Sequence, residues 1–458
     1  MTIKTTKSTL KSLLILGIFA ISFGSTSCKK FLDKKSDKTL VVPSTLEDAQ
    51  ALLDFYSLMN NSYPSIGAQS DDDFYLLDTY WAGLGIVNQN NYIWAKDAYN
   101  DLEWSNMYQV VLHANLALET TEDIQPTAIN INDWSRIKGG ALFYRAYAFY
   151  HIAQYYANPY DRNTSTQTLG IPLRLNTNVN EKTIRSTLQQ TYDQIINDLT
   201  SASVMLPVTT TPISRPSKAA AFAGLARTYL IMGEYSQARN YADSCLQLNN
   251  VLIDYNTINS STAIPFTRLN PEVIFPSTIL TPGMLSVNNW KVDSLLYKSY
   301  ALNDLRRTIF YQSNGTGTFG FKGSYDGSSS RFNGIATDEV YLIRAECRAR
   351  LGDKEGALSD LNTLLVKRWK SGTFIPYTAS TSEDALGKIL IERRKELVLR
   401  NIRWFDLRRL NIEPRFAKTL FRNVNGQVHQ LSPNDTKYTY YIPQGVISLT
   451  GIQQNTRQ

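Results

Sequence analysis

Residues 220–248 read AAFAGLARTYLIMGEYSQARNYADSCLQL, and this stretch decides the fold because the chain repeats its pattern. Residues 338–366, DEVYLIRAECRARLGDKEGALSDLNTLLV, superpose on it when Gly233 is aligned with Gly352. In each copy a helical apolar pattern ends at this glycine, and a second pattern begins with alanine five residues later. Because glycine readily adopts a left-handed turn conformation, each copy predicts two antiparallel helices joined by a tight turn.

Helical patterning also covers most of the remaining chain, which predicts a mainly α fold. Apolar residues recur at helical spacing in three more segments: residues 102–121, 134–160 and 187–206. A first helix is predicted over residues 44–60, with Ser44 and Glu47 at the spacing of a capping box. The two hairpins are tetratricopeptide-like but far apart in sequence. We therefore expect them to be dispersed within one helical domain, residues 44–458, and not to form a regular solenoid.

Two irregular segments, residues 65–100 and 250–335, interrupt the helices. Both mix aromatic residues with glycine, asparagine and aspartate, and we expect loops with short strands there. Aromatic residues that are ordered on loops favour a binding role, although packing in the core is the alternative for each of them. The predicted ligand-binding residues are Tyr80, Trp81, Trp290, Tyr311, Phe319, Phe321 and Tyr325. Three other tryptophans have helical or helix-flanking patterns and are predicted to be core residues: Trp94, Trp104 and Trp404.

The first 27 residues have the layout of a secretory signal. Three lysines precede the apolar run at residues 13–23, which is too short to span a bilayer as a helix. Small residues then lead directly to Cys28, as in a bacterial lipoprotein signal that is cut before a lipidated cysteine. Residues 28–43 would then form a flexible tether. Ser25 stands where an aliphatic residue is usual, so ordinary secretion with an incidental cysteine is the alternative.

Composition argues against several other classes of protein. The chain has 47 basic and 40 acidic residues without a long basic block, so nucleic-acid binding is not predicted. Three cysteines cannot form a disulfide framework, and Cys245 and Cys347 lie on apolar helical faces as predicted core residues. The three histidines lack the paired spacing of a catalytic zinc site. Gly315, Gly317 and Gly320 spell G-x-G-x-x-G, but the helix that a dinucleotide site requires does not follow.

Two acidic motifs have more than one interpretation. The aspartates at 71–73 could bind calcium, or they could form a solvated turn or helix cap. Glu392 and Glu396 are two nearby carboxylates, the residue type that glycosidases use as their catalytic pair. Arginines surround them, however, and would hold both carboxylates ionised, which is unsuitable for a general acid and favours a structural ion-pair network. The surrounding arginines are Arg393, Arg394, Arg400, Arg403, Arg408 and Arg409.

Residues 392–410, ERRKELVLRNIRWFDLRRL, resemble the C-terminal signature of the SusD/RagB family of outer-membrane lipoproteins from Bacteroidetes. The residues that match are Glu392, Arg393, Glu396, Leu397, Arg403, Trp404, Asp406, Leu407 and Arg409. Arg400 and Asn401 replace the usual Glu-Gly, and asparagine tolerates the left-handed conformation that the glycine would adopt. Residues 338–353 and 440–455 also resemble family segments, as does CKKFLD at residues 28–33.

This resemblance implies a SusD-like fold and a surface-exposed lipoprotein, anchored through Cys28 in the outer membrane. It also implies that the protein caps a SusC-like TonB-dependent transporter and delivers captured oligosaccharides to it. Members of the family are not enzymes, and the sequence predicts no cofactor. The alternative is a lipoprotein that binds peptides or proteins as a scaffold within the same kind of uptake system. A glycosidase is the third and weakest hypothesis.

Overall fold

In the described part of the chain the first helix begins at residue 46, and helices then follow one another along most of it. The computed structural model describes residues 43–458. The predicted signal sequence and Cys28 lie outside this range, as does the predicted tether apart from Pro43. Residues 44–458 pack as one unit. Within residues 43–458, none of the helices combines the length and the hydropathy needed to cross a bilayer.

The described residues are mainly helical, as predicted, with short strands between the helices. The helices are α1 Leu46–Leu53, α2 Tyr56–Met59, α3 Ile66–Ser70, α4 Asp78–Ala82, α5 Ile86–Tyr92, α6 Asp101–Asp123, α7 Ile131–Tyr156, α8 Leu188–Met205, α9 Lys218–Ile231, α10 Tyr235–Leu248, α11 Ser294–Lys298, α12 Arg306–Ile309, α13 Thr337–Arg350, α14 Lys354–Leu365, α15 Ser382–Glu396, α16 Arg403–Leu410 and α17 Gln444–Thr450. The strands are β1 Phe74–Tyr75, β2 Val273–Phe275, β3 Lys291–Val292, β4 Tyr311–Ser313, β5 Phe319–Phe321, β6 Ile335–Ala336, β7 Leu420–Val424 and β8 Gln427–Leu431.

The repeated sequence forms two helix hairpins, α9–α10 and α13–α14, as predicted. Gly233 and Gly352 occupy the turns with φ angles of 74° and 87°, the left-handed conformation that glycine adopts without strain. The expectation that the hairpins are dispersed is wrong. Each helix packs against the next from α6 to α10, and α10 then packs directly against α13. The two hairpins are therefore adjacent in one continuous series of helices. The irregular segment that separates them in sequence is an insertion in this series.

The predicted first helix is divided and begins later than expected. It forms α1 and the short α2, and Thr45 is the N-cap in place of Ser44. The Thr45 hydroxyl accepts a hydrogen bond from Asp48 N at 3.1 Å, and the Asp48 carboxylate accepts one from Thr45 N at 3.1 Å. The predicted capping box is thus shifted by one residue, because Asp48 takes the position assigned to Glu47.

Helix α7 forms the centre of a tyrosine-rich core. Every residue from Ile137 to Tyr156 except Lys138 is buried. Four of the five tyrosine hydroxyls in this stretch have polar partners, for example Tyr144 with the Asn60 side chain at 3.2 Å and Tyr155 with the Asn401 side chain at 3.0 Å. These hydrogen bonds lower the cost of burying the hydroxyls. The Tyr150 hydroxyl has no hydrogen-bond partner among residues 43–458. The predicted core residues Trp94, Trp104, Trp404, Cys245 and Cys347 are also buried.

Four two-stranded antiparallel sheets lie beside the helices in the described part of the chain, and one of them joins the two irregular segments. Strand β1 from the first segment pairs with β3 from the second, with Phe74 opposite Val292 and Tyr75 opposite Lys291. Strands β4 and β5 form a hairpin within the second segment. Its turn contains Gly315 and Gly317, which explains these glycines of the G-x-G-x-x-G pattern without a nucleotide.

The last residues of the chain pack inside the fold. Arg457 is 1% exposed, and its guanidinium donates hydrogen bonds to three carbonyl oxygens. These belong to Ala95 at 3.0 Å, Lys437 at 2.8 Å and Thr439 at 2.9 Å. Arg457 therefore fastens the end of the chain to the first irregular segment.

Candidate ligand-binding surface

The aspartates at 71–73 face basic side chains, and the predicted solvated turn is wrong. Arg403 Nε lies 2.6 Å from Asp72 Oδ1, and Arg394 Nε lies 2.9 Å from Asp73 Oδ1. Burial opposes ionisation, but Arg403 and Arg394 hold the pKa of Asp72 well below its usual value. The described residues contain no group of three His, Cys, Asp or Glu side chains arranged to hold a metal ion. The calcium hypothesis therefore has no support in residues 43–458.

Glu392 and Glu396 belong to a buried network that we call the charged core. Its members are Glu272, Asp304, Arg306, Arg368, Glu392 and Glu396. Arg306 lies at its centre, 2.6 Å from Glu392 Oε2 and 2.9 Å from Glu396 Oε2. Although burial opposes it, Arg306 lowers the pKa of Glu392, so this carboxyl is not a proton donor near neutral pH. The predicted structural ion-pair network is confirmed, but its cations are not the predicted ones. The two glutamates pair with Arg306, Arg368 and Lys395 and with none of the six arginines near them in sequence.

The signature around the charged core also includes a strained turn. Asn401 stands where the family signature usually has glycine. Its φ angle is 58°, in the left-handed region that was expected for this position. Its amide donates hydrogen bonds to the Pro64 carbonyl at 2.9 Å and to the Asn333 side chain at 2.8 Å. Arg400 pairs with Asp338 at 3.1 Å. The two departures from the usual motif are therefore accommodated by local partners.

Four of the seven predicted ligand-binding residues are core residues, which corrects their assignment. Trp290, Tyr311, Phe321 and Tyr325 are between 0 and 3% exposed. A sugar must reach the face of an aromatic ring to stack on it, and these rings offer no accessible face. The prediction failed because the irregular segment folds back on itself and buries part of its own aromatic residues.

These buried rings form a layer beneath the neighbouring surface. Trp290 stacks on Phe74 from the first irregular segment, with ring centroids 5.6 Å apart. Phe321 meets Trp290 edge to face at 6.0 Å, and Tyr311 lies 6.4 Å from it. Tyr325 lies elsewhere, with its hydroxyl 3.2 Å from Glu272 in the charged core. The aromatic layer thus fixes the two irregular segments against each other.

The other three predicted residues, Tyr80, Trp81 and Phe319, are half-buried and keep accessible ring surface. Pairing of β1 with β3 brings the segment that contains Tyr80 and Trp81 next to residues 283–292. The Tyr80 hydroxyl lies against Gly283, where an added Cβ atom would be 3.3 Å away. Gly320, next to Phe319, approaches the Val287 carbonyl so closely that an added Cβ would lie 2.0 Å from its oxygen.

Tyr297 joins this group, and sequence reasoning missed it. Its ring is half-buried and stacks on Phe319 with centroids 3.8 Å apart. Arg307 lies 5.0 Å from the Tyr297 ring centroid and donates a hydrogen bond to its hydroxyl at 3.2 Å. No sequence signal places a residue of α11 against β5. We call Tyr80, Trp81, Tyr297 and Phe319 the aromatic surface.

Polar groups border the aromatic surface and are available for hydrogen bonds. The Asn289 side chain lies beside the Tyr80 hydroxyl and opposes the upward shift that burial gives its pKa. Trp81 Nε1 donates to the Gln89 carbonyl oxygen at 3.3 Å, which holds the indole in place. Half-buried rings next to amide and guanidinium groups can contact the apolar faces of a sugar and its hydroxyls together.

Concave pockets occur elsewhere on the protein. One of about 530 Å³ lies between residues 173–186 and α8, and its lining lacks an aromatic ring. Another of about 370 Å³ lies between α16 and residues 158–168, where Tyr438 is its one aromatic residue. Neither of these two pockets is lined by a residue of the aromatic surface.

Two family models match separate segments of the chain. A family model described as "Starch-binding associating with outer membrane" matches residues 30–230. The model of the SusD family matches residues 322–455. A curated relative, SusD-like protein P2 of Formosa agariphila, is 24% identical in an alignment of 373 residues that covers 68% of this chain and 71% of the relative.

Solved structures show the same fold. A SusD superfamily protein from Bacteroides thetaiotaomicron is 23% identical and aligns with a TM-score of 0.75 over 90% of this chain and 100% of that one. A SusD-like carbohydrate binding protein from Bacteroides vulgatus is 19% identical and aligns with a TM-score of 0.68, covering 89% of this chain and 97% of that one. The predicted helical fold is thus confirmed.

Proposed function

We propose that this chain, which belongs to the SusD/RagB family, captures oligosaccharides on its aromatic surface and delivers them to a SusC-like TonB-dependent transporter. Proteins of this family are associated with the outer membrane and bind carbohydrate. The observation that carries the proposal is the group of half-buried rings at Tyr80, Trp81 and Phe319, which keep accessible area beside polar side chains.

The proposed binding mode follows from the chemistry of sugars. A sugar ring has an apolar face of C–H groups, which stacks on an aromatic ring, and a rim of hydroxyls, which requires hydrogen-bond partners. Tyr80 and Trp81 come from one irregular segment and Phe319 from the other, so a ligand that contacts all three spans both segments. We infer that several sugar units bind along this surface.

The proposal is tested by affinity electrophoresis of the full chain against a panel of polysaccharides. Trp81→Ala removes an accessible ring and should weaken binding about tenfold. Trp134→Ala is the matched control because Trp134 is also half-buried, but it lies on α7, where its indole bonds to Thr121 O at 2.7 Å. Equal binding by both variants would contradict the assigned surface. Binding of peptides without any glycan would favour the scaffold alternative.

Activity assays test the non-enzymatic part of the proposal. The carboxylate pair that most resembles a glycosidase site, Glu392 and Glu396, is buried and bound to arginines. Products should therefore stay undetectable when the protein is incubated with a polysaccharide that it binds. Detectable hydrolysis would overturn the assignment as a binding protein.

The proposed attachment through Cys28 has its own test. Replacing Cys28 with Ala should release the protein from membranes without unfolding it, because acyl chains supply the anchoring free energy. Fractionation in high salt, in a strain that lacks the transporter, measures this release. A variant that still sediments with membranes under those conditions is not anchored through Cys28.

A further inference from the structure

We propose that the glycan captured by the aromatic surface is anionic and bears carboxylate or sulfate groups that Arg307 recognises. The inference rests on the proposed function and specifies the chemical class of its ligand. It is carried by the position of Arg307 next to Tyr297 and Phe319, and by its lack of a carboxylate partner.

Arg307 is held beside the aromatic surface with hydrogen-bonding capacity to spare. Its Nε donates to the Tyr297 hydroxyl at 3.2 Å, which fixes the side chain. Within residues 43–458 no carboxylate lies within 4.0 Å of it, and its two Nη nitrogens have no hydrogen-bond partner. The side chain is half-buried, so its guanidinium is accessible. A guanidinium with free Nη groups matches the two oxygens of a carboxylate or sulfate.

The guanidinium of Arg307 lies beside the aromatic surface and not directly on Phe319. Tyr297 contacts both Phe319, at 3.8 Å between ring centroids, and the Arg307 guanidinium, at 5.0 Å. Because Phe319 is stacked on Tyr297, a sugar unit on the free face of Phe319 is separated from Tyr297 by the Phe319 ring. The anionic group that reaches Arg307 therefore belongs to a neighbouring unit of the same oligosaccharide.

One lysine adds positive charge to the same part of the molecule. Lys298 ends α11, the helix that carries Tyr297, and is exposed without an ion-pair partner in residues 43–458. Lys291 on β3 is buried, and its Nζ donates to the Asn288 carbonyl oxygen at 2.6 Å. Of the nearby acids, Asp293 caps α11 and lies 3.8 Å from Arg394, which leaves Asp78 on α4 as an exposed countercharge.

The excess of positive charge is local. Residues 43–458 contain 39 basic and 38 acidic side chains, so the described part of the chain is almost neutral. Many of its basic groups are already neutralised, as Arg306 is by three carboxylates. Arg307 and Lys298, which have no carboxylate partner among residues 43–458, therefore distinguish this surface from the average of the chain and attract an anionic ligand.

The test compares polysaccharides that share a backbone and differ in charge. The full chain is measured by calorimetry against dextran and dextran sulfate, and against methyl-esterified pectin and polygalacturonate. We expect at least tenfold tighter binding to the charged member of a pair and weaker binding as sodium chloride is raised. Arg307→Gln should weaken binding to the charged member about tenfold and binding to its neutral counterpart much less, because the glutamine amide can still donate a hydrogen bond to a hydroxyl.

A matched variant separates recognition from general attraction. Arg239→Gln makes the same charge change at a half-buried arginine of α10, which bonds to the Asn240 side chain at 3.1 Å. It should bind the charged glycan as the parent protein does. Equal losses in the two variants would show non-specific attraction and overturn the inference.

The outcomes also separate this inference from the proposed function. Equal binding of charged and neutral glycans, with Trp81→Ala still weakening both, overturns the anionic ligand and leaves glycan capture intact. Binding to none of a broad panel, neutral or charged, overturns glycan capture and the inference together.

Discussion

Arg306 and Arg307 are neighbours in α12, yet they belong to two regions with opposite properties. Arg306 is fully buried and bound to Asp304, Glu392 and Glu396 in the charged core. Arg307 lies half-buried on the aromatic surface, with Tyr297 as its neighbour and no carboxylate. Residue type therefore does not distinguish a structural arginine from a ligand-binding one here. The two are distinguished by the partners of the side chain and by its accessibility.

The largest expected effect is on the charged core. Replacing Arg306 with Met leaves three buried carboxylates short of a cation, which should lower the free energy of unfolding by about 3–5 kcal/mol. Urea denaturation followed by circular dichroism measures the change. A loss below 1 kcal/mol would mean that Lys395, 2.7 Å from Glu392, compensates for the missing guanidinium.

The two tryptophans of the irregular segments give the next comparison. Trp290→Ala should cost about 3–5 kcal/mol because it empties a site inside the aromatic layer. Trp81→Ala should cost about 1 kcal/mol or less, because the ring is half-buried, and should act on glycan binding instead. The same denaturation assay measures both variants. Similar losses of stability would show that Trp81 is a packing residue.

Two buried carboxyl groups differ in whether a cation lies beside them, and they are therefore expected to differ in pKa. Burial raises the pKa of Glu103 to about 7, because hydrogen bonds from Ser65 and Ile66 only partly offset it. Glu346 is also buried, but Arg409 and Arg350 lower its pKa to about 2. Glu103 therefore keeps a proton in the folded protein that the unfolded chain releases above about pH 4.5.

The contribution of Glu103 to the free energy of unfolding decreases as the pH rises. Since the folded state binds more protons on Glu103 between about pH 4.5 and 7, this group stabilises the fold at low pH and loses that contribution as the pH rises. The contribution is about 3 kcal/mol across this window. Glu103→Gln should remove it, so unfolding curves of the variant should change less with pH than those of the parent. Parallel pH profiles would show that Glu103 ionises normally in the fold.

The smallest expected change in stability is at Arg307. Because Arg307 lacks an ion pair, Arg307→Gln should alter the free energy of unfolding by less than about 0.5 kcal/mol. This keeps its effect on glycan binding interpretable. Thermal unfolding of the variant beside the parent provides the measurement, and a marked decrease in the melting temperature would place Arg307 in the packed structure.

The sequence was sufficient for the helices because their signals are local and regular. The repeat with Gly233 and Gly352 predicted both hairpins. A buried ion-pair network around Glu392 was also predicted, but its cations Arg306 and Arg368 come from distant parts of the sequence and were not. The packing of α10 against α13 could not be predicted from the sequence. It depends on the path of the segment between the two hairpins, which has no periodic pattern. The cap at Thr45 was displaced by one residue because Asp48 and Glu47 are adjacent acids and either could complete the box.

The candidate site was harder to predict because irregular segments lack periodicity. Trp290 and Phe319 occur in similar glycine- and asparagine-rich surroundings, yet one is in the core and the other is half-buried. Their burial is decided by the pairing of β1 with β3, which joins residues more than two hundred positions apart. Tyr297 was missed for the same reason, as its partner Phe319 is on a different element.

The buried position of Arg457 has a consequence for how the chain reaches its native state. The carbonyl of Ala95 belongs to the first quarter of the sequence, and its hydrogen bond comes from the second-last residue. A chain that emerges from a ribosome or a secretion channel N-terminus first can form its early helices, but it cannot complete this contact until residue 457 has emerged. The hydrogen bonds to the Ala95 carbonyl therefore form only after more than three hundred and fifty intervening residues are available, which makes this contact a late step in folding.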